Sequence, residues 1–250
     1  MSSFEEDIVG LFHFYKSRKG ARSLKMRLFR DLNAVVNLKK IRRVMKKYQL
    51  ITKVRRKNPY KAVFKAGEDH KVLPNILRRD FVVPEADRFY STDITYLPYG
   101  KGQLAYLSAV KDLGTSEIIH HKVFNRVTVE IATAGLENLF QSMTKKTLEN
   151  LVIHSDQGSN YTAASYRALL SKYGVTQSMS RKGNCLDNAP IESFFGHLKD
   201  EIDLKYCQTL DEVVSTISEY VNYYNNDRPQ WVLKGKTPAE CRGSLKVPFY

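Results

Sequence analysis

Between Leu32 and Gly67 the chain carries twelve lysines and arginines and not one carboxylate. A folded segment that repels itself this strongly needs an anionic partner, and nucleic acid is the usual one. The excess is local. Residues 1–80 hold 22 Lys/Arg against 7 Asp/Glu, or +15, whereas residues 81–250 hold 18 against 19, or −1. Two parts built on different rules are therefore expected.

Composition narrows the classes. At 42% apolar residues a sizeable core is available, and 26% charged residues is not the profile of a low-complexity chain. No run approaches 18 apolar residues, so no membrane span is expected. The first residues place acids ahead of a short apolar stretch, the wrong order for a secretory signal. Cys185, Cys207 and Cys241 lack metal-ligand spacing and read as free thiols of a reducing compartment. His120 and His121 are adjacent, so on a strand they point to opposite faces and do not form a zinc site.

The basic part has helical spacing. Ile8, Leu11, Phe12 and Tyr15 recur at i, i+3, i+4 and i+7, and Leu24 with Leu28 marks a second helix. Asn37 can cap a third, with Ile41, Val44, Met45 and Tyr48 as its apolar stripe. Lys39, Lys40, Arg42, Arg43, Lys46 and Lys47 fill the rest of its surface. Three short helices ending in a basic one suit a helix-turn-helix-like domain over residues 1–51, whose DNA contacts would be mainly to phosphate. Residues 52–80, with Pro59, Gly67 and Pro74, read as a basic linker.

From Phe81 the pattern turns to strands. Residues 88–98, 103–110 and 117–124 are β-branched and aromatic and form a meander, with a turn at Tyr99-Gly-Lys-Gly102. Residues 128–143 read as a helix, 151–153 as a buried strand, 163–173 as a helix, 175–179 as a strand and 190–202 as a helix. The order predicts an α/β fold with a mixed five-stranded sheet flanked by helices over residues 81–203. A helical extension, residues 204–250, follows. Capping boxes at Thr209–Glu212 and Thr237–Glu240 open its helices, and Leu210, Val214, Ile217, Val221 and Tyr224 form the stripe of the first.

Three acids stand out. Asp93 lies in an otherwise uncharged strand, Asp156 ends the buried run Leu-Val-Ile-His-Ser-Asp, and Glu192 opens a helix beside the stripe Ile191, Phe194, Phe195, Leu198. Catalytic groups gather at the carboxyl ends of strands in open sheets, and a carboxylate is favoured at a helix N-terminus. Singly each has a bland explanation: a cross-strand ion pair for Asp93, a turn for Asp156, the helix dipole for Glu192.

Together, with 35 residues between Asp156 and Glu192, they resemble the D,D(35)E triad of retroviral integrases and related bacterial insertion-sequence transposases. Four blocks strengthen the likeness: Ser91-Thr-Asp-Ile-Thr-Tyr-Leu97, His154-Ser-Asp-Gln-Gly-Ser-Asn-Tyr161, the run from Gln177 to Lys199, and Tyr223-Tyr-Asn-Asn-Asp-Arg-Pro229. They resemble the second-frame transposase of frameshifting insertion sequences, from about Ile8 to Arg242. There are departures: Phe89-Tyr90 where the family usually has a tryptophan, Lys19-Gly-Ala-Arg22 in place of Tyr-Gly-x-Arg, and Gln230-Trp231 after the Arg-Pro motif.

The resemblance implies an RNase H-like catalytic core that cleaves DNA at element ends and joins the 3′-hydroxyl to target DNA. Asp93, Asp156 and Glu192 would then be both catalytic residues and ligands of Mg²⁺ or Mn²⁺. Two ions roughly 3.5–4 Å apart can activate the oxygen nucleophile and stabilise the leaving oxygen, with Asp93 bridging them. Hard oxygen donors suit Mg²⁺. Three such acids repel one another without metal, so a loose metal-free site or a raised carboxyl pKa is expected. Lys199, seven residues after Glu192, is placed to hold a DNA phosphate or end base, or else is a solvated helix lysine. Arg181 and Lys182 lie in a loop expected to contact DNA. His154 is expected to support Asp156 by hydrogen bonding rather than to ligate metal. Asp187 is expected to order the turn into the helix and Asp200 to face solvent. Arg228 either anchors its own turn or contacts DNA.

The expected partners are double-stranded DNA, both element ends and target, further copies of this chain on that DNA, and a first-frame helix-turn-helix protein. The expected location is the bacterial cytoplasm, associated with the nucleoid. The rival activities are an RNase H-like nuclease that hydrolyses without joining and a catalytically incomplete DNA-binding regulator of transposition.

Overall fold

The structure is a computed structural model that describes residues 3–53, 73–78, 83, 85–181 and 185–246. Most of the predicted linker, and Lys182, lie outside the described residues. Three helices come first, α1 Ser3–Phe14, α2 Ala21–Leu32 and α3 Leu38–Lys47. Ile8, Phe12, Leu24, Leu28, Ile41 and Val44 form their shared core. Asn37 accepts the Lys39 backbone N–H at 2.8 Å, the predicted cap of α3. All six basic residues singled out on α3 are exposed. Lys47 pairs with Glu5 at 2.9 Å and Lys40 lies 4.0 Å from the Phe4 ring centre, so these two also brace α3 on α1.

The sheet contains β1 Phe89–Tyr99, β2 Gln103–Asp112, β3 Ile118–Phe124, β4 Val152–Ser155 and β5 Thr176–Met179, in the order β3-β2-β1-β4-β5. The first three run antiparallel; β4 and β5 add parallel to β1. The flanking helices are α4 Leu136–Gln141, α5 Lys145–Asn150, α6 Ser159–Thr162, α7 Ala164–Tyr173, α8 Ala189–Glu201, α9 Leu210–Asn226 and α10 Pro238–Lys246. On one face Leu97, Ala105, Leu107 and Ala109 pack against Phe194, Phe195 and Leu198 of α8 and Ile217 and Tyr224 of α9. On the other, Tyr90, Val110 and Ile153 pack against Leu136, Phe140, Tyr166 and Leu170. All four residues of β4 are buried, which explains an apolar run without alternation.

Four expectations need correction. Residues 128–143 are not one helix: a 3₁₀ turn at Val129–Ala132 precedes α4, and α5 follows. The break is at Gly135, which has φ +88° and lies against the His120 ring, whose Nε2 is 3.1 Å from the Ala134 carbonyl. A side chain there meets both an unfavourable φ and an occupied space. Gly135→Ala is expected to lower stability by about 1–3 kcal/mol in a denaturant titration. Residues 73–78, assigned to the linker, instead border β5: the Ser178 hydroxyl accepts the Ile76 N–H at 2.9 Å, and Leu77 is buried. The buried stripe of α9 uses Val213 and Tyr220 rather than Val214, because Tyr220 buries its ring while its hydroxyl reaches toward Glu201 at 3.4 Å. Asp200 is half-buried rather than solvent-facing.

The N-terminal helices dock on the C-terminal extension. Arg30 makes a two-pronged pair with Glu240 at 2.8 and 2.9 Å. The Arg22 guanidinium lies 5.2 Å from the Trp231 ring centre, and Lys19 pairs with Glu201 at 2.7 Å. Lys19 and Trp231, both departures from the family pattern, thus lie in the same interface. Arg228 is buried and engages Glu201 through two nitrogens, so it is an internal anchor. The capping box at Thr237 forms, Thr237 and Glu240 capping each other at 3.2 and 2.8 Å. At α9 the Thr209 hydroxyl accepts the Glu212 N–H at 3.2 Å, while Glu212 accepts the N–H of Gln208, one residue before the cap, at 2.6 Å.

Candidate active site

The parallel pairing of β1 with β4 sets Phe89 against Val152, Tyr90 against Ile153 and Ser91 against His154. Extended two residues beyond the last pair, past the end of β4 at Ser155, the same offset would set Asp93 level with Asp156. Asp93 is the fifth of the eleven residues of β1, and Asp156 follows the carboxyl end of β4, the edge at which open α/β sheets present reactive groups. The buried Tyr161 ties the two together. Its hydroxyl lies 3.5 Å from the Thr92 hydroxyl, and its pKa is raised by burial first and then by the charges of Asp93 and Asp156. One phenol thus senses both carboxylates.

Helix α8 carries Glu192 onto the same face. Along β1, Asp93, Thr95 and Leu97 share a side, and Leu97 packs with Phe194, Phe195 and Leu198. The helix is pinned at both ends of the relevant stretch. The Ser91 hydroxyl donates to Asn188 Oδ1 at 2.7 Å and Asn188 Nδ2 donates to the Thr92 carbonyl at 3.5 Å. Further along, Lys199 Nζ donates to the Thr95 hydroxyl, and Lys111 Nζ donates to the Pro190 carbonyl at 3.1 Å. Glu192 lies between these pins, half-buried in the first turn, so α8 runs along β1 with Glu192 abreast of the Asp93 region.

Among the described residues no three His, Cys, Asp or Glu side chains lie close enough together to hold a metal ion. The donor set still fits a hard divalent cation, since it is all carboxylate oxygen. Burial raises the Asp156 carboxyl pKa, offset only in part by the Gly158 N–H that donates to Oδ1 at 2.8 Å. A cation at that carboxylate would reverse the shift.

Gly158 is specific to this arrangement, because a Cβ there would stand 2.9 Å from Asp156 Oδ1. Gly158→Ala is expected to displace that carboxylate and lower strand transfer by about 10²-fold with little change in melting temperature. Kinetic assays paired with thermal unfolding check this.

The neighbouring expectations resolve unevenly. His154 is fully buried, with Nδ1 2.9 Å from the Ser178 hydroxyl; burial lowers its pKa and Asp187 opposes that shift. Its contacts therefore run toward β5 and Asp187. Asp187 does order the turn: it accepts the Arg181 N–H, Nε and Nη2, each at 3.0 Å, and Asn75 Nδ2 at 2.9 Å. The Arg181 guanidinium is thus engaged within the chain, although its side chain is 58% exposed. Lys199 is half-buried and directed onto β1. His120 and His121 do point apart, to Ala134 and to Ser218. Cys207 and Cys241 are free thiols. Tyr161, Asn188 and Gly158 were given no role by sequence reasoning. All three lie inside the motif blocks, which is the one signal that marks them.

The Integrase core domain family matches residues 84–185, a second Integrase core domain family matches residues 192–244, and an HTH-like domain family matches residues 3–58. InsK of insertion sequence element IS150 from Escherichia coli (strain K12) is 35% identical over 96% of this chain and 83% of its own length. The transposase of insertion sequence element IS904 from Lactococcus lactis is 30% identical over 94% and 91%. The transposase InsF of IS3A from Escherichia coli is 32% identical over 93% and 80%. Among solved structures, a chain of the simian T-cell lymphotropic virus intasome superposes with a TM-score of 0.56 at 14% identity, covering 97% of this chain and 76% of that one. That likeness supports the RNase H-like fold of retroviral integrases. With an integrase core behind an HTH-like domain, and relatives matched over nearly its whole length, the chain belongs to the DDE transposases of bacterial insertion sequences.

Proposed function

We propose that Asp93, Asp156 and Glu192 are the catalytic acids of this transposase and hold the divalent metal, Mg²⁺ or Mn²⁺, on which its DNA cleavage and strand transfer depend. What supports this reading is the β1–β4 register, whose offset, extended two residues past Ser91–His154, would set Asp93 level with Asp156, together with the pinning of α8 along β1. The metal, when bound, supplies the positive charge that activates the oxygen nucleophile and stabilises the departing 3′ oxygen. Asp93, Asp156 and Glu192 would supply the carboxylate oxygens that hold the metal, and α8 would keep Glu192 in place as DNA enters. Lys199 orients the DNA end beside Glu192. The exposed basic face of α3, residues Lys39 to Lys47, grips duplex phosphates.

Two element ends must be brought together for transposition, so the active species is a multimer of this chain on DNA. A first-frame helix-turn-helix protein contributes to end recognition. DNA as the substrate places the work at the bacterial nucleoid. Among the described residues no helix is long and apolar enough to cross a membrane.

A strand-transfer assay tests the reading. Labelled duplexes of the element's terminal sequence, read from the DNA flanking the gene, are incubated with target plasmid and Mg²⁺ or Mn²⁺, with and without the first-frame protein. Joined product that disappears on chelation is expected. Hydrolysis without joining would favour a nuclease, and binding without either would favour a regulator.

A further inference from the structure

The junction between the N-terminal helices and the catalytic part is made of buried charge rather than apolar surface. Lys19, in the turn between α1 and α2, is 6% exposed, and its Nζ lies 2.7 Å from Glu201 Oε2. Arg228 holds the same carboxylate from the other side, Nη2 to Oε1 at 2.9 Å and Nε to both oxygens at 3.1 and 3.2 Å. Arg27 of α2 donates to the Tyr223 hydroxyl at 3.1 Å and to the Asp227 carbonyl at 2.8 Å. The Tyr15 and Tyr223 rings flank Lys19, each centre 5.7 Å from Nζ. Buried ion pairs are a poor way to gain affinity between surfaces, because desolvation cancels most of the attraction. Their distinct property is direction: a guanidinium or ammonium held by one carboxylate fixes an angle that apolar packing leaves free to slide.

Glu201 is the last residue of α8, the helix that carries Glu192 nine residues earlier, about 14 Å along a rigid rod. The N-terminal helices are therefore fastened to the catalytic helix itself. We propose that Lys19 and Glu201, with Arg228 backing the carboxylate, are positioning residues that hold DNA gripped by α3 in fixed register with the acids, so that the cut falls at one phosphodiester. This rests on the reading of α3 and the three acids given above.

The test maps cut positions at single-nucleotide resolution on labelled terminal duplexes, using the full chain. Lys19→Met keeps the side-chain length and leaves Glu201 paired with Arg228. It is expected to bind the duplex within 2-fold of wild type while spreading cuts over several neighbouring phosphates, with the fraction at the wild-type position falling about 10-fold. Lys19→Arg, which restores the pair, is expected to return the cut to that position. A structural role alone would lower the overall rate and leave the distribution unchanged, and that result in Lys19→Met overturns the proposal. Should Lys19→Met not fold, Lys19→Gln decides: it keeps a hydrogen-bond donor but removes the charge that pairs with Glu201 and is expected to broaden the distribution at least 2-fold; an unchanged distribution overturns the proposal. A wild-type chain that never cuts or joins refutes the functional reading instead, so the two failures are distinguishable.

Discussion

Asp93→Asn, Asp156→Asn and Glu192→Gln are each expected to lower strand transfer by about 10³-fold or more, equivalent to roughly 4 kcal/mol of barrier. Folding and duplex affinity should remain within 2-fold of wild type. The reason for this separation lies in how the acids are held. Asp93 Oδ1 accepts the N–H of the next residue, Ile94, at 2.8 Å, and Asp156 Oδ1 accepts that of Gly158. An amide oxygen can accept the same bonds. Burial already disfavours the charged form of Asp156, so a neutral amide there should leave the melting temperature unchanged or slightly higher. What the amide loses is the charge that a hard cation requires. Single-turnover joining assays, thermal unfolding and duplex titration of the same preparations check all three parts. Retained joining in any one variant would remove that acid from the mechanism.

Asp112→Ala is expected to be the most damaging substitution away from the acids, lowering stability by about 3–5 kcal/mol. Asp112 is fully buried at the end of β2. It accepts the Gly114 N–H at 3.0 Å, the Thr115 hydroxyl at 2.9 Å and Arg242 Nη2 at 2.7 Å. Arg242 also binds Asp87 at 2.9 Å and pairs with Glu117, so one guanidinium from α10 gathers three acids. Burial raises the Asp112 pKa against the pull of Arg242, whereas the surrounding acids raise that of Arg242. Truncating Asp112 leaves a buried hydroxyl and amide without their acceptor and α10 without its central tie. A fall of about 10 °C in melting temperature follows for a chain of this size. Asp112→Asn, which keeps an acceptor, should recover part of it.

Much of this was legible along the chain. The strands from residue 88 onward, the capped helix α3 and the order of elements follow from period and punctuation, because those signals are local. Motif spacing marks the three acids as candidates. Gly135 shows where local signals fail: the apolar positions across 128–143 keep helical spacing, and only the His120 ring from β3 explains why the helix is interrupted. Tyr220 was left out of the α9 stripe because its ring and hydroxyl belong to different environments, which a count of apolar positions does not separate. Arg228 could be an anchor or a DNA contact until its partner was known.

The sequence by itself determined the basic helical part and the α/β part and singled out three candidate acids, since charge segregation, residue period and motif spacing are properties of neighbours along the chain. Only the tertiary structure decided that β1 pairs parallel with β4, that α8 is pinned to β1 through Asn188 and Lys199, and that Lys19 is buried against Glu201. Those contacts join residues tens to nearly two hundred positions apart. A carboxylate does not record in its own neighbourhood which distant cation or strand will satisfy it; the packing of the whole core selects that partner.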